Sequence, residues 1–321
     1  MMNDLTLLQR IRKDFGIQGW VDIQVNGHAG ISFCSENLTL DQVSDAVDKL
    51  DQAGTTLFLP TVVTTPPETM LHCLRVLGEA CDHPDLRKHL GGIHLEGPYL
   101  STEPGAKGAH PPEYMHPPNL EEFHRFQEAA RGHIKILTLA PELEGAPAFI
   151  DRVTTEGVVC SAGHTLATYS DFRIAVDAGL RLGTHIGNGI PAEVRRHENP
   201  IFAQLAIPEI VPSLITDGFH LPEGFIRAIF ASKRDNGCLV ISDQTHLAGM
   251  PPGEYLLGVT PVVLEEDGFL HMRDEPYLAG SSRTMAECME HLNGLGFLDD
   301  NQLVDLGYRN PLKALGRAPT I

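Results

Sequence analysis

Short β-branched or aliphatic runs recur along the chain, each followed by a turn and then an amphipathic helical pattern. Eight runs predict strands: Trp20 to Val25, Thr56 to Val63, Gly92 to Leu95, Ile134 to Leu139, Gly157 to Ser161, Leu180 to Thr184, Val211 to Thr216 and Cys238 to Ser242. Helix boundaries between them are marked in the sequence. Thr39 and Gln42 form a capping-box pattern that opens a helix stopping near Gly54. Asn119 caps a helix that reaches Gly132. Further amphipathic stretches end at Gly157, Gly179 and Gly237, as Gly just past a helix end allows. Eight strands alternating with helices predict an α/β fold, a (β/α)8 TIM barrel, for which ~250 residues is typical. The alternative is a doubly wound open sheet. No glycine-rich phosphate fingerprint follows the first strand, where that fold places one. After the eighth strand, Thr260–Leu264 and Phe269–Met272 flank Glu-Glu-Asp-Gly, which predicts a β-hairpin excursion over 255–272. Two or three helices close the chain. Residues 1–321 read as a single barrel domain.

Composition supports one large soluble domain. The 321 residues can bury a substantial core. The hydrophobic fraction is 42% and the charged fraction 21%, ordinary for a globular protein. With 24 basic and 42 acidic residues, the formal charge is −18. That excess argues against nucleic acid or an anionic membrane surface as partner, since both require a basic face. It leaves room for a small anionic substrate in a local basic pocket. No run approaches the ~20 apolar residues of a membrane span. The first residues carry apolar side chains only at helical intervals, unlike a signal peptide. The six cysteines show no Cys-x-x-Cys spacing and read as buried thiols. The expectation is a cytoplasmic protein.

A barrel places its chemistry at the C-terminal ends of its strands. Those ends carry Gln24 and Asn26, then Glu96, Glu142, His164, His185, Asp217 with His220, and Asp243. A carboxylate and two neutral imidazoles, with one position left for water, is the open arrangement of a catalytic metal site. Glu96, His164 and His185 supply that set. Among 16 histidines, any one is more often a hydrogen-bonded structural residue than a ligand. The placement of the set at successive strand ends favours the metal. Asp243 ends an apolar strand, where a carboxylate needs a cation or a water as partner. It reads as a general base on metal-activated water, with a turn-capping role as the alternative.

Together the motifs resemble the N-acetylglucosamine-6-phosphate deacetylase family of the amidohydrolase superfamily. The resemblance rests on Gln24-Val-Asn26-Gly, Gly54-Thr-Thr-Leu-Phe-Leu-Pro60-Thr, His94-Leu-Glu96-Gly-Pro98 and Lys107-Gly-Ala-His110. It continues through Leu139-Ala-Pro-Glu142, Gly163-His164-Thr165, Thr184-His185, Asp217-Gly-Phe-His220 and Ala279-Gly-Ser-Ser282. The nine pieces keep their order from about Trp20 to Leu315. The resemblance implies a catalytic barrel that removes acetate from the 2-acetamido group of an amino-sugar phosphate. It makes Glu96, His164 and His185 the metal ligands and Asp243 the catalytic acid/base. It places His110 at the acetamido carbonyl, and Asn188, Gly189 and His220 around the sugar phosphate. Arg196, with Arg195 as the alternative register, matches a phosphate-binding arginine that the family supplies across a dimer interface. A homodimer is therefore implied.

The resemblance implies one divalent ion. Zinc suits an N/O site, with iron, nickel, cobalt and manganese as alternatives. Gln24 and Asn26 stand where many barrel amidohydrolases carry a His-x-His pair for a second ion. Neutral amides are weak ligands, so a mononuclear site is expected. Three departures concern the surroundings. The family's small β-sandwich, built from both chain ends, is expected to be reduced or absent. The family's aromatic-Asn-Ala becomes Gly187-Asn188-Gly189. His246 follows Asp243 where small residues are usual; it reads as a surface histidine, with a reach into the site as the alternative. The alternatives are an amidohydrolase for an unphosphorylated or differently N-acylated substrate, and a non-catalytic sugar-phosphate binder.

Overall fold

The computed structural model describes residues 5–233, 237–258, 260–274 and 278–319. The chain opens with helix α1 (Leu7–Phe15) and strand β1 (Trp20–Val25), followed by a two-stranded ribbon, β2 (Gly27–His28) and β3 (Ile31–Ser32). Helices and strands then alternate: α2 (Leu40–Gln52), β4 (Thr55–Val63), α3 (Pro67–Asp82), β5 (Ile93–Glu96), α4 (Leu120–Ala129), β6 (Ile134–Leu139), α5 (Ala146–Thr155), β7 (Val159–Ala162), α6 (Tyr169–Asp177), β8 (Leu182–Gly183), α7 (Pro200–Ala206), β9 (Val211–Ile215), α8 (Glu223–Lys233) and β10 (Leu239–Ile241).

Eight parallel strands pair in the order β1-β4-β5-β6-β7-β8-β9-β10. The two edges meet just past the strand ends. The Asp243 amide donates to the Gln24 carbonyl at 3.0 Å, and the Asn26 amide to the Gln244 carbonyl at 2.9 Å. Val25 and Gln244 form a parallel bridge there. The predicted (β/α)8 barrel is the fold.

Local chemistry explains the element boundaries. Thr39 and Gln42 exchange side-chain and backbone hydrogen bonds, the capping box read from the sequence. Asn119 accepts from the Glu122 amide to open α4. The strand expected to begin at Gly157 starts two residues later, because Gly157 at φ +86° still belongs to the turn that closes α5. The predicted run Leu180 to Thr184 pairs only over Leu182–Gly183, since the chain leaves the sheet at His185.

Aliphatic side chains fill the barrel interior, among them Val21, Ile23, Leu59, Ile136, Ile215 and Ile241. Leu312, on the last helix (Asn310–Ala314), packs against this set. A larger core lies between the strands and α2 to α7, and another joins α1, Trp20 and α8 to helix α9 (Met285–Gly294). Outside the barrel, β11 (Gly253–Leu257), β12 (Thr260–Leu264) and β13 (Leu270–Met272) form an antiparallel sheet of three strands. No β-sandwich accompanies the barrel among the described residues. No helix among them is long and apolar enough to cross a membrane.

Asp22 is fully buried at the seam between β1 and β10. It accepts from the Gln24 amide at 3.2 Å, the Ser242 amide at 3.3 Å and the Ser242 hydroxyl at 2.5 Å. Burial outweighs these bonds and pushes its pKa up to about 7. The native state therefore holds a proton that an unfolded aspartate releases near pH ~4. Native proton binding is the tighter, so stability falls as pH rises through the window from ~4 to about 7. Asp22→Asn removes that loss. Denaturant unfolding at pH 4 and pH 8 should show the variant gaining on the order of 4 kcal/mol over the parent between the two conditions. A pH-independent difference would show that Asp22 is ionised throughout.

Candidate metal centre and active site

Glu96 ends β5, while His164 and His185 sit in the turns that leave β7 and β8. All three are buried, and their donor atoms lie within 4.8 Å of one another. His164 Nε2 stands 3.1 Å and His185 Nε2 3.0 Å from the same oxygen, Glu96 Oε1. The other carboxylate oxygen accepts from Gln24 Nε2 at 3.1 Å. His164 Nδ1 lies 2.8 Å from the Ala106 carbonyl, which can only accept. The ring proton is therefore on Nδ1, and in the neutral ring the Nε2 lone pair points at an anionic oxygen. Such a meeting of electron pairs requires a cation or a proton between them. His185 Nδ1 is buried without a hydrogen-bond partner. This donor set fits a divalent ion.

Burial alone would raise the Glu96 pKa, but the two rings hold it well below the usual carboxylate range. His185 shifts the other way. Burial lowers its pKa, and the hydrogen bond and charge of Glu96 raise it beyond that loss.

The backbone is unusual at this place. His164 (φ +50°), His185 (φ +33°) and Asp243 (φ +48°) all adopt left-handed conformations. Non-glycine residues there carry strain, which concentrates at functional sites. The His164 ring lies between two glycines with positive φ. A Cβ on Gly108 would come 2.9 Å from His164 Cε1, and one on Gly189 2.8 Å from His164 Nδ1. Beneath the rings runs a chain of buried polar groups. His94 faces the Ile23 carbonyl through Nδ1 at 3.0 Å, so its Nε2 accepts from Thr138 Oγ1 at 2.7 Å. Thr138 must then accept from Thr184 Oγ1 at 2.7 Å, and Thr184 from Ser161 Oγ at 2.6 Å. Burial pushes the His94 pKa down to about 4, so the ring is neutral and these directions are fixed.

Asp243 follows β10, beside this cluster. Its Oδ1 accepts from Asn26 Nδ2 at 2.7 Å. Burial and the nearby Glu96 charge raise its pKa to about 6. His110 Nε2 is 3.2 Å from His164 Nε2, and its Nδ1 is buried without a partner. Burial, aided by the neighbouring histidines, pushes the His110 pKa down to about 3. Asn188 donates to the His185 carbonyl at 3.3 Å, and the Gly189 carbonyl accepts from the Thr165 amide at 3.2 Å. His220 Nδ1 is 2.6 Å from Asp217 Oδ2, and Asp217 also receives the amides of Phe219 and His220.

Two expected positions lie outside this cluster. Arg196 and Arg195 lie on an exposed segment between His185 and α7, outside the buried cluster. His246 is half-buried, not a surface residue. Its carbonyl receives the Gly30 amide at 2.8 Å, and its Cβ lies 2.9 Å from where one on Gly27 would be. Two polar positions carry no signal in the sequence. Ser213 and Thr138 sit in apolar runs with no motif of their own. Only the barrel register shows them facing the centre.

An eight-stranded α/β barrel with a Glu/His/His cluster at its strand ends defines a hydrolase barrel of the amidohydrolase type. No protein-family model matches the chain. It is 31% identical over 304 residues to the N-acetylglucosamine-6-phosphate deacetylase of Bacillus subtilis (strain 168), spanning 94% of this chain and 75% of the relative. The N-acetylgalactosamine-6-phosphate deacetylase of Escherichia coli O157:H7 is 28% identical over 301 residues, 92% of this chain and 77% of the relative. Among solved structures, a mutant N-acetyl-D-glucosamine-6-phosphate deacetylase from Mycobacterium smegmatis, in complex with N-acetyl-D-glucosamine-6-phosphate, superposes with a TM-score of 0.85 at 31% identity, over 94% of this chain and 78% of that one. The chain belongs to the N-acetylglucosamine-6-phosphate deacetylase family.

The glycine clamp on His164 generates a direct test. Gly189→Ala and Gly108→Ala each press a Cβ onto the ring and force an L-residue into a left-handed conformation. Each should weaken divalent-ion affinity by about tenfold, equivalent to about 1.4 kcal/mol within the range for such strain. A chelator-competition titration reads this. Unaltered affinity in both variants would remove the clamp from the account.

Proposed function

We propose that the chain is a metal-dependent deacetylase of N-acetylglucosamine 6-phosphate or a closely related N-acetyl amino-sugar 6-phosphate, releasing acetate and the free amine. One observation carries the reading: two imidazole nitrogens converge on one oxygen of buried Glu96, with Asp243 raised toward neutrality beside them. Membership of the family supports the substrate class, and the names of the relatives include both the gluco and galacto epimers.

In this reading Glu96, His164 and His185 hold one divalent ion, with zinc preferred for an N/O donor set. Bound there, such an ion acidifies water and polarises the amide carbonyl. Gln24, whose amide is occupied on Glu96 Oε2, supports a single-ion centre.

Asp243 removes a proton from the attacking water. It then delivers that proton to the nitrogen of the departing amine, which must leave protonated. A pKa near 6 suits both halves of the transfer. Neutral His110 offers a ring N–H to the oxyanion that develops on the acetamido carbonyl. Asn188 and the Gly189 peptide border the sugar. Asp217 takes His220 Nδ1, which leaves Nε2 for the sugar phosphate.

Arg196 contacts the phosphate across a homodimer in this reading. Its exposure supports that role, as do the exposed Val194 and Phe202 on either side. The barrel and its three-stranded sheet act together as one catalytic unit.

Purified enzyme should release acetate from N-acetylglucosamine 6-phosphate faster than from the free N-acetyl sugar. Chelation should abolish the release and added zinc restore it. Asp243→Asn should lose about 10²–10⁴-fold in kcat while keeping its ion, the range for a lost acid/base. Faster turnover of the unphosphorylated sugar would overturn the substrate assignment. Near-normal turnover in Asp243→Asn would overturn the mechanism.

A further inference from the structure

The three left-handed residues of the centre share one feature. Each turn is fastened by a polar side chain from an adjacent strand or from the loop that follows it. Asn26 Nδ2 donates to both the Asp243 carbonyl (3.3 Å) and its carboxylate (2.7 Å). Ser213, on β9, accepts the His185 amide in its Oγ at 2.8 Å and donates to the Gly183 carbonyl at 3.1 Å. Glu142, just past β6, accepts the Leu166 amide in Oε1 at 2.6 Å and the Thr165 hydroxyl in Oε2. Thr165 and Leu166 are the two residues after His164. Ser213 is 6% exposed; Glu142 is half-buried, and burial still raises its pKa against its hydrogen bonds.

The geometry of these contacts matters more than their number. A left-handed histidine turns its amide away from the sheet ladder, so that amide needs a new acceptor. Ser213 supplies it for His185, and its own proton goes to the carbonyl of Gly183, two residues earlier. The hydroxyl thus bridges both sides of the turn. Glu142 does the equivalent for the turn after His164, with two oxygens on two successive residues. Neither residue touches the donor atoms of the ligands. Their effect passes through the ligand backbone.

We propose that Ser213 and Glu142 are positioning residues that hold His185 and His164 in their strained turns, so that the metal donors converge before an ion arrives. This rests on the reading of Glu96, His164 and His185 as ligands. The prediction concerns affinity for the ion itself. Residues that orient ligands from behind commonly change metal affinity 10- to 100-fold.

The test uses the full-length protein, stripped of metal and titrated with zinc in competition with a chelator and with cobalt followed by its visible spectrum. Ser213→Ala and Glu142→Ala should each weaken affinity about 10- to 100-fold, with an altered cobalt spectrum and a far-UV spectrum like the parent's. Ser213→Thr restores the acceptor and should return affinity to near the parent value. A general loss of stability would lower the melting temperature of the apo variants without this rescue. Parent-like affinity in both Ser213→Ala and Glu142→Ala overturns the proposal, as does a Ser213→Thr variant as weak as Ser213→Ala. A parent protein that binds neither ion overturns the ligand reading and the proposal with it.

Discussion

The structure depends on one unfavourable meeting. Two imidazole nitrogens are aimed at a single oxygen of a carboxylate that has been taken out of water. Without a cation that arrangement would relax, because buried lone pairs facing an anion are costly. The surrounding protein prevents relaxation. The Ala106 carbonyl fixes the His164 tautomer, two glycines grip its ring, and Gln24 occupies the far oxygen of Glu96. The barrel contributes what no local motif could, by bringing residues from β5, β7 and β8 to the same point. Its strands are short near the centre, and the chain leaves them through turns that only strong local contacts can hold.

The same burial separates the roles of two neighbouring carboxyl groups. Glu96 is held well below its ordinary pKa by the histidines around it, which suits a permanently anionic donor. Asp243 is raised to about 6 by burial and by the charge of Glu96, which suits a group that must take and return a proton. Environments that push paired titratable groups apart are how acid and base work is divided in one site. Two other histidines, His94 and His110, are kept neutral by burial. The chain's charge of −18 therefore says little about its centre, where local geometry sets each charge state.

Much of this was legible in the sequence because the fold and the chemistry repeat a pattern. Eight apolar runs alternating with capped helices specify a barrel, and a barrel assigns its strand ends to chemistry. Glu96, His164, His185 and Asp243 follow from that rule before any coordinate is known. What stayed hidden depends on register and backbone angle. Ser213 lies within Val-Pro-Ser-Leu-Ile, and no periodicity distinguishes its hydroxyl from that of any strand serine. Thr138 and Thr184 gain meaning only when their oxygens stand 2.7 Å apart across the barrel. His246 looked like a surface histidine because sequence carries no sign of the β2–β3 ribbon that covers it. Arg196 is the reverse case, a motif match that this chain alone leaves on an exposed segment.

The closing seam of the barrel has a consequence for how the centre is assembled. Sequence separation is greatest there, since β1 and β10 are the first and last strands of the barrel sheet. The two amides that stitch the seam belong to Asn26 and Asp243, whose side chains are also hydrogen-bonded to one another. The Glu/His/His cluster that could hold an ion comes instead from strands in the middle of the sheet. The pairings from β4 to β9 gather Glu96, His164 and His185, while the pairing of β1 with β10 brings Asp243 to Asn26. The Glu/His/His cluster and the Asp243 carboxylate thus depend on different strand pairings of the same sheet.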